Sequence, residues 1–391
     1  MPAFTLYTGG YVDGRIHQLA FDPSVPSLEV VSTANVGSAP TWLTFSADGR
    51  FLYATDEWGN PEGTVTALEV QADGSLKQLS TVQTGGLWAC HSALLTSTSP
   101  PQLLTTTYKG AGLHSVPLLP SGDVSSFPSD AQLLSYLNTG TLGSNARRQE
   151  QAHPHGAHPD PRGVVVVVPD LGTDDLRVVG VREDGKLEDV ETIHLEAGDG
   201  PRHVLFGGDQ KLYVLNELSN SVSVFSCASS TSRYPTFTLL QSRISILPPA
   251  PVAGQSPFPS WHCAELVLTP DSRTLIASNR AENHDPLNGT KDGPTDVLAI
   301  FAVKEDGTLE EGSKTLVSAG GRAPRHMSLS SESVKLKGQG VKEVDEGRFL
   351  AVAMHDSDEV VIFERTGGEG RELREVVRKE GLGRPGVVLW A

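Results

Sequence analysis

The chain is poor in cysteine, aromatics, positive charge and long apolar runs, and each shortage removes a class of function. Only three cysteines, Cys90, Cys227 and Cys263, occur in 391 residues. They are too few, and too irregularly spaced, for a disulfide scaffold or a zinc knuckle, so reduced thiols are expected. No apolar stretch approaches the roughly 20 residues that span a bilayer, and the opening MPAFTLYTGG lacks the basic and apolar segments of a signal peptide. A cytoplasmic location is the expectation. Lys and Arg number 31 against 47 Asp and Glu, a formal charge of −16 that repels a phosphate backbone or an anionic membrane. Nucleic-acid and membrane partners are thereby disfavoured, and a small anionic substrate would need a local basic pocket. No G-x-S-x-G elbow occurs, so in any hydrolysis water would have to be the nucleophile. The one match to G-x-G-x-x-G, Gly381–Gly386, contains Pro385 and has only five residues after it, too few for a phosphate-binding helix.

What is abundant is turn chemistry. Forty Gly and 26 Pro punctuate short runs of alternating apolar residues. TWLTFSADGRFLYATDE, residues 41–57, reads as a hairpin around an Asp-Gly turn, and GTVTALEVQADGSLKQL, residues 63–79, adds a second pair of strands. Together they make a four-stranded unit. Similar openings follow Cys90, Pro154, Pro201, Cys263 and Pro324, which with Pro40 makes six. A seventh unit is split: RPGVVLW, residues 384–390, has no partner after it, and FTLYTGG, residues 4–10, has none before it. Sharing one blade between the chain ends would close a ring and remove its exposed edges. The expected fold is all-β, a seven-bladed β-propeller of four-stranded antiparallel blades, forming a single domain over residues 1–391. Residues 121–151 and the Pro-rich residues 246–260 read as insertions between blades.

HPHGAHPD, residues 153–160, gathers three histidines and an aspartate into eight residues and raises the question of a metal. On an extended segment His153 and His155 share a face while His158 has opposite parity, so convergence on one ion is not expected. His158 is expected to cap a turn with Asp160, and His153 to pack at the rim beside the next blade. Cys90 and His91, being adjacent, should point to opposite faces, which is poor geometry for a nucleophile and its base; core packing is the expectation.

Several stretches carry a resemblance: RQEQAHPHGAHPDPRG (148–163), VPDLGTDDL (168–176), GPRHVLF (200–206), NELSNSVSVF (216–225) and AELVLTPD followed by SNR (264–280). In this order and over nearly the whole length, the chain resembles the seven-bladed propeller lactonases, a family that includes 6-phosphogluconolactonases and 3-carboxy-cis,cis-muconate cyclases. The resemblance implies no required metal or cofactor and a small anionic lactone or carboxylate as substrate.

In a propeller, the start of each innermost strand and the end of the second strand meet at one rim. Blade openings supply His155, Arg202 and Arg325 to that rim, and second-strand ends supply Glu57, Tyr108, Glu217, Arg280 and His355. The resemblance to the cyclase branch implies catalytic roles for His155, Arg202, Glu217 and Arg280. Glu57, Tyr108, His203, Arg325 and His355 complete the candidate substrate-binding set. Two guanidiniums can hold an anion and an oxyanion, while a carboxylate and an imidazole can move protons. Arginines nearby would keep Glu217 ionised and suited to a base, leaving His155 as proton donor. From residue types alone, an ion pair that merely ties Arg202 to Glu217 explains the same pattern. Three readings therefore stand: a lactonase of the 6-phosphogluconolactonase kind, favoured by NELSN and a second PRH at 324–326; a lactonising cyclase; and a noncatalytic binding propeller, which the absence of Trp-Asp dipeptides disfavours.

Overall fold

A computed structural model describes residues 4–124, 131–208, 210–228, 232–247, 261–281, 296–330 and 347–391. Among them, seven four-stranded antiparallel sheets form, each a run of four strands in order from an innermost strand outward. The innermost strands are Pro40–Phe45, Ala89–Leu95, His158–Pro159, Pro201–Gly207, Trp261–Leu268, Pro324–Leu329 and Pro385–Trp390, numbered here as blades 1 to 7. These match the openings read from the sequence. No helix among the described residues is long and apolar enough to cross a membrane.

Blade 7 is the closure: Pro385–Trp390 pairs with Phe4–Gly10, with Leu6 opposite Trp390 and Gly9 opposite Val387. The joint is packed as well as hydrogen-bonded. Trp390, Phe21, Phe4 and Phe349 of blade 6 form an aromatic cluster with centroids 5.1–6.5 Å apart. Val387 and Val388 are fully buried. Each large side chain buried this way contributes roughly 1.5–3 kcal/mol. Between the other blades, apolar layers such as Leu215, Val224, Leu275 and Phe301 fill the wedges.

One correction to the sequence reading concerns the long connections. Residues 121–151 are not a simple insertion: Gln132–Ser135 is the outer strand of blade 2, pairing with Gly112–Ser115. The loop that follows, residues 136–157, leads into blade 3 and carries Arg148 and Gln149. In the second proposed insertion Ile246 is fully buried in an apolar layer, and residues 248–260 lie outside the described residues.

Four innermost strands begin with the same local device. The register shifts between Pro40 and Trp42, Ala89 and His91, Pro201 and His203, and Pro324 and His326, leaving Thr41, Cys90, Arg202 and Arg325 as the extra residue of a bulge. A bulge breaks strict side-chain alternation and re-aims its residue. The residue before the strand is left-handed in several blades: Trp88, Gly200, Ala323 and Arg384 all have φ between 54° and 58°. At Gly200 a Cβ would also meet Leu218 Cγ at 2.4 Å, so only glycine fits this corner.

Candidate active site

In four blades the residue after the second strand is pinned across the rim by a backbone bond to the corner before the first. Glu57, Tyr108, Glu217 and His355 donate their N–H groups to the carbonyls of Ala39, Trp88, Gly200 and Ala323, at 2.8–3.0 Å. Strand starts and second-strand ends thus converge on one mouth of the central channel. That mouth is a cavity of about 460 Å³ lined by Glu57, Tyr108, His155, Glu217, Arg280, Arg325 and His355 among others. Seven of the nine predicted residues line it.

The remaining two lie below. Arg202 is almost wholly buried, with Nε 3.0 Å from Glu217 Oε2 and Nη1 donating to the Ala264 carbonyl. It is a strut under Glu217. His203 sits deeper in the channel, its Nδ1 3.0 Å from Glu265 Oε1 and its ring 5.3 Å from those of His91, His155 and Trp42.

Glu217 is the electrostatic centre. Arg148 Nη2 donates to its Oε1 at 2.6 Å, and Arg280 Nη2 lies 3.5 Å from the same oxygen. With Arg202 on Oε2, three guanidiniums surround one carboxylate. Burial alone would raise its pKa, but Arg148, Arg280 and Arg202 outweigh that and hold the carboxyl well below the usual range. The same burial, with Arg202, His203 and Arg325 nearby, pushes His155 well below an ordinary imidazole, Glu217 opposing only in part. That direction favours the neutral imidazole. Burial pulls Arg280 down to about 10.

Arg325 differs from its neighbours. It is four-fifths buried, stacks over the Tyr11 ring at 5.0 Å, and has Glu57 as its nearest carboxylate at 3.7 Å. Glu57 is meanwhile occupied by the Tyr11 and Thr41 hydroxyls at 2.5 and 3.0 Å. Among the described residues the Arg325 guanidinium donates no hydrogen bond within the protein.

The three histidines of HPHGAHPD separate. His153 stacks flat on Tyr108 of the next blade at 4.0 Å and contacts the Tyr108 carbonyl at 2.9 Å through Nδ1, as the rim reading expects. His155 faces the mouth. His158 does not cap a turn with Asp160: it points into the lower channel, 4.8 Å from the His91 ring, and its Nε2 accepts from Val204 N at 3.5 Å. Asp160 makes the turn by itself, taking the N–H groups of Val164 and Val165 at 2.7 and 2.9 Å. Cys90 also departs from its expected place. The bulge turns both it and His91 toward the axis, so Cys90 lines the mouth instead of a blade core. Burial pushes its thiol up to about 12, which leaves it no thiolate for catalysis.

Sequence reasoning missed Arg148, Trp88, His262 and Asp356, all of which line the mouth. Arg148 stood in plain view at the head of RQEQAHPHG, but a loop residue has no strand parity to place it. A larger cleft of about 830 Å³ lies at the opposite rim between blades 2 and 3. Within it Arg182 pairs with Asp184 at 3.2 Å.

The family described as "Lactonase, 7-bladed beta-propeller" matches residues 5–390. A probable 6-phosphogluconolactonase of Arthroderma benhamiae is 29% identical over 275 residues, covering 69% of this chain and 65% of that protein, just under two thirds of its length. The 6-phosphogluconolactonase of Bacillus subtilis is 25% identical over 377 residues, covering 95% and 94%. In fold, the chain superposes on the crystal structure of a putative 6-phosphogluconolactonase from Bacteroides uniformis with a TM-score of 0.79, at 24% identity and full coverage of both chains.

Proposed function

Because the chain belongs to the seven-bladed β-propeller lactonase family, we propose that its cationic mouth hydrolyses the lactone of an anionic sugar acid, in the manner of a 6-phosphogluconolactonase. One observation carries the reading: Arg325 is mostly buried and, among the described residues, donates no hydrogen bond, its nearest carboxylate being Glu57 at 3.7 Å. A buried guanidinium in that state calls for an anionic ligand, and a phosphate or carboxylate can take its planar fork. Arg280 lies close enough to act on Arg325 electrostatically, and it directs Nε and Nη2 to the carbonyls of His262 and Cys263. Its Nη1 makes no hydrogen bond among the described residues and can meet a carbonyl oxygen that gains charge as water attacks. Trp88, 38% exposed at the rim, offers an apolar face to the ring carbons.

The chemistry is addition and elimination at one carbon. Water attacks the lactone carbonyl as it loses a proton to a base, giving a tetrahedral oxyanion; collapse breaks the ring C–O bond, and the alkoxide takes the proton back. The product is the open hydroxy acid, ionised at neutral pH. Lactonisation of a carboxymuconate would use the same groups, but that substrate carries several carboxylates. Arg148, Arg202 and Arg280 are already shared with Glu217, so the mouth has capacity for about one further anionic group.

A panel of plain sugar lactones, phosphorylated sugar lactones and carboxymuconates, each measured against its spontaneous rate, tests this directly. The reading expects the largest acceleration on a lactone with one anionic group. Preference for carboxymuconates would make the protein a cyclase, and no acceleration on any member would leave a binding propeller.

A further inference from the structure

Within that reading, we infer that His155 is the general base that activates water, and that Glu217 is a positioning residue whose carboxylate holds Arg148, Arg202 and Arg280 in place. Enclosing charge and open contact distinguish the two groups. Glu217 is enclosed by guanidiniums: Oε1 accepts from Arg148 at 2.6 Å and has Arg280 at 3.5 Å, and Oε2 has Arg202 Nε at 3.0 Å as an ion pair without hydrogen-bond geometry. Taking a proton would neutralise that carboxylate and leave three partly or fully buried guanidiniums without their shared counter-charge. A carboxylate so held is also a feeble proton acceptor.

His155 is its complement. It lines the same cavity, is 6% exposed, and no hydrogen bond engages its ring among the described residues; Nδ1 is buried with no partner at all. A buried polar atom left unsatisfied is costly. The ring is fixed by packing: Tyr108 meets it edge-on at 5.6 Å and His203 at 5.3 Å. Its backbone is fixed as well, through its N–H to Pro169 O at 2.9 Å and its carbonyl to Cys90 Sγ at 3.6 Å. The charged groups facing it are Arg202, Arg325 and Glu217; burial, Arg202, His203 and Arg325 disfavour its protonation, and Glu217 opposes them. A neutral imidazole with an open nitrogen can take a proton from water. As imidazolium, beside those arginines, it readily returns that proton to the alkoxide when the ring bond breaks.

Kinetics over a pH series on the preferred lactone, with wild type, His155→Gln, His155→Ala and Glu217→Gln, separate the roles. The inference expects His155→Gln to lose kcat by about 100-fold or more with KM little changed, and imidazole in solution to restore part of the His155→Ala rate. The wild-type rate should fall as pH drops through a single protonation below the ordinary imidazole value, and that limb should vanish in His155→Gln. Glu217→Gln should mainly raise KM and keep the limb; Glu217→Asp serves if Gln disturbs folding. A wild type that turns over while His155→Gln keeps its kcat overturns the assignment alone. Wild type without turnover on any lactone, yet folded and binding inorganic phosphate, overturns the proposed function and this assignment with it.

Discussion

Arg148 Nη2 lies 2.6 Å from Glu217 Oε1, joining the loop between blades 2 and 3 to the rim of blade 4 across 69 positions of sequence. Glu217 is 3% exposed and Arg148 28%, so the pair is buried on one side only. Removing the guanidinium leaves a desolvated carboxylate with two arginines in place of three. Arg148→Met should lower stability by about 1–3 kcal/mol, less than the 3–5 kcal/mol of a fully buried pair because Arg148 is partly hydrated. Chemical denaturation of both proteins checks this; equal midpoints would show that the ion pair contributes nothing.

The same carboxylate sets a pH dependence. Its folded pKa is depressed, so its contribution to stability is present above the unfolded carboxyl value and is lost as pH falls toward the folded one. The stability gap between wild type and Glu217→Gln should be widest near neutrality and should close in acid. A gap that stays constant between neutral and strongly acidic buffer would contradict the pairing.

Asp170 supports the site from one layer out. Its Oδ1 accepts the N–H groups of His153 and Gly172 at 2.7 and 3.1 Å, and its Oδ2 accepts Arg177 Nε and Nη2 at 2.9 and 2.8 Å. Asp170→Ala should cost about 3–5 kcal/mol, since it strands a buried guanidinium. Because it releases the backbone two residues before His155, activity should fall further than the unfolded fraction explains. Thermal melting and kcat on the same sample read both.

The ring closure makes a third demand on stability. Deleting residues 384–391 removes Val387, Val388 and Trp390 from their buried places and exposes the edge of Phe4–Gly10. At roughly 1.5–3 kcal/mol per large side chain, the truncated chain should melt far below the parent. Melting at the parent temperature would contradict the shared blade.

Chelation should leave activity intact. His153, His155 and His158 point to the rim, the mouth and the lower channel, and no group of His, Cys, Asp and Glu among the described residues is arranged to hold a metal ion. Loss of rate with EDTA and recovery with zinc or calcium would contradict this.

The blade openings, the split seventh blade and the rim residues were legible because alternation, turn residues and propeller geometry are local or repetitive. What the sequence hid follows from two devices. The bulges at Cys90 and Arg202 break the parity on which facing arguments rest, so Cys90 was placed in a core, and Arg202, though assigned to the rim, was not foreseen beneath the mouth. Arg148 reaches Glu217 from a loop, where no periodicity predicts direction. His158 shows the cost of reading eight residues as one extended strand: only His158–Pro159 pair as strand, and the segment before them follows its own path.

The most direct test of the account compares wild type with Arg325→Gln on 6-phosphoglucono-δ-lactone and on uncharged glucono-δ-lactone, following ring opening against the buffer rate. The account predicts that wild type accelerates the phosphorylated lactone, that Arg325→Gln raises KM for it by about tenfold or more, and that the uncharged lactone is little affected by the change. A wild type no faster than buffer on either lactone, or an Arg325→Gln variant that treats the two as wild type does, would contradict it.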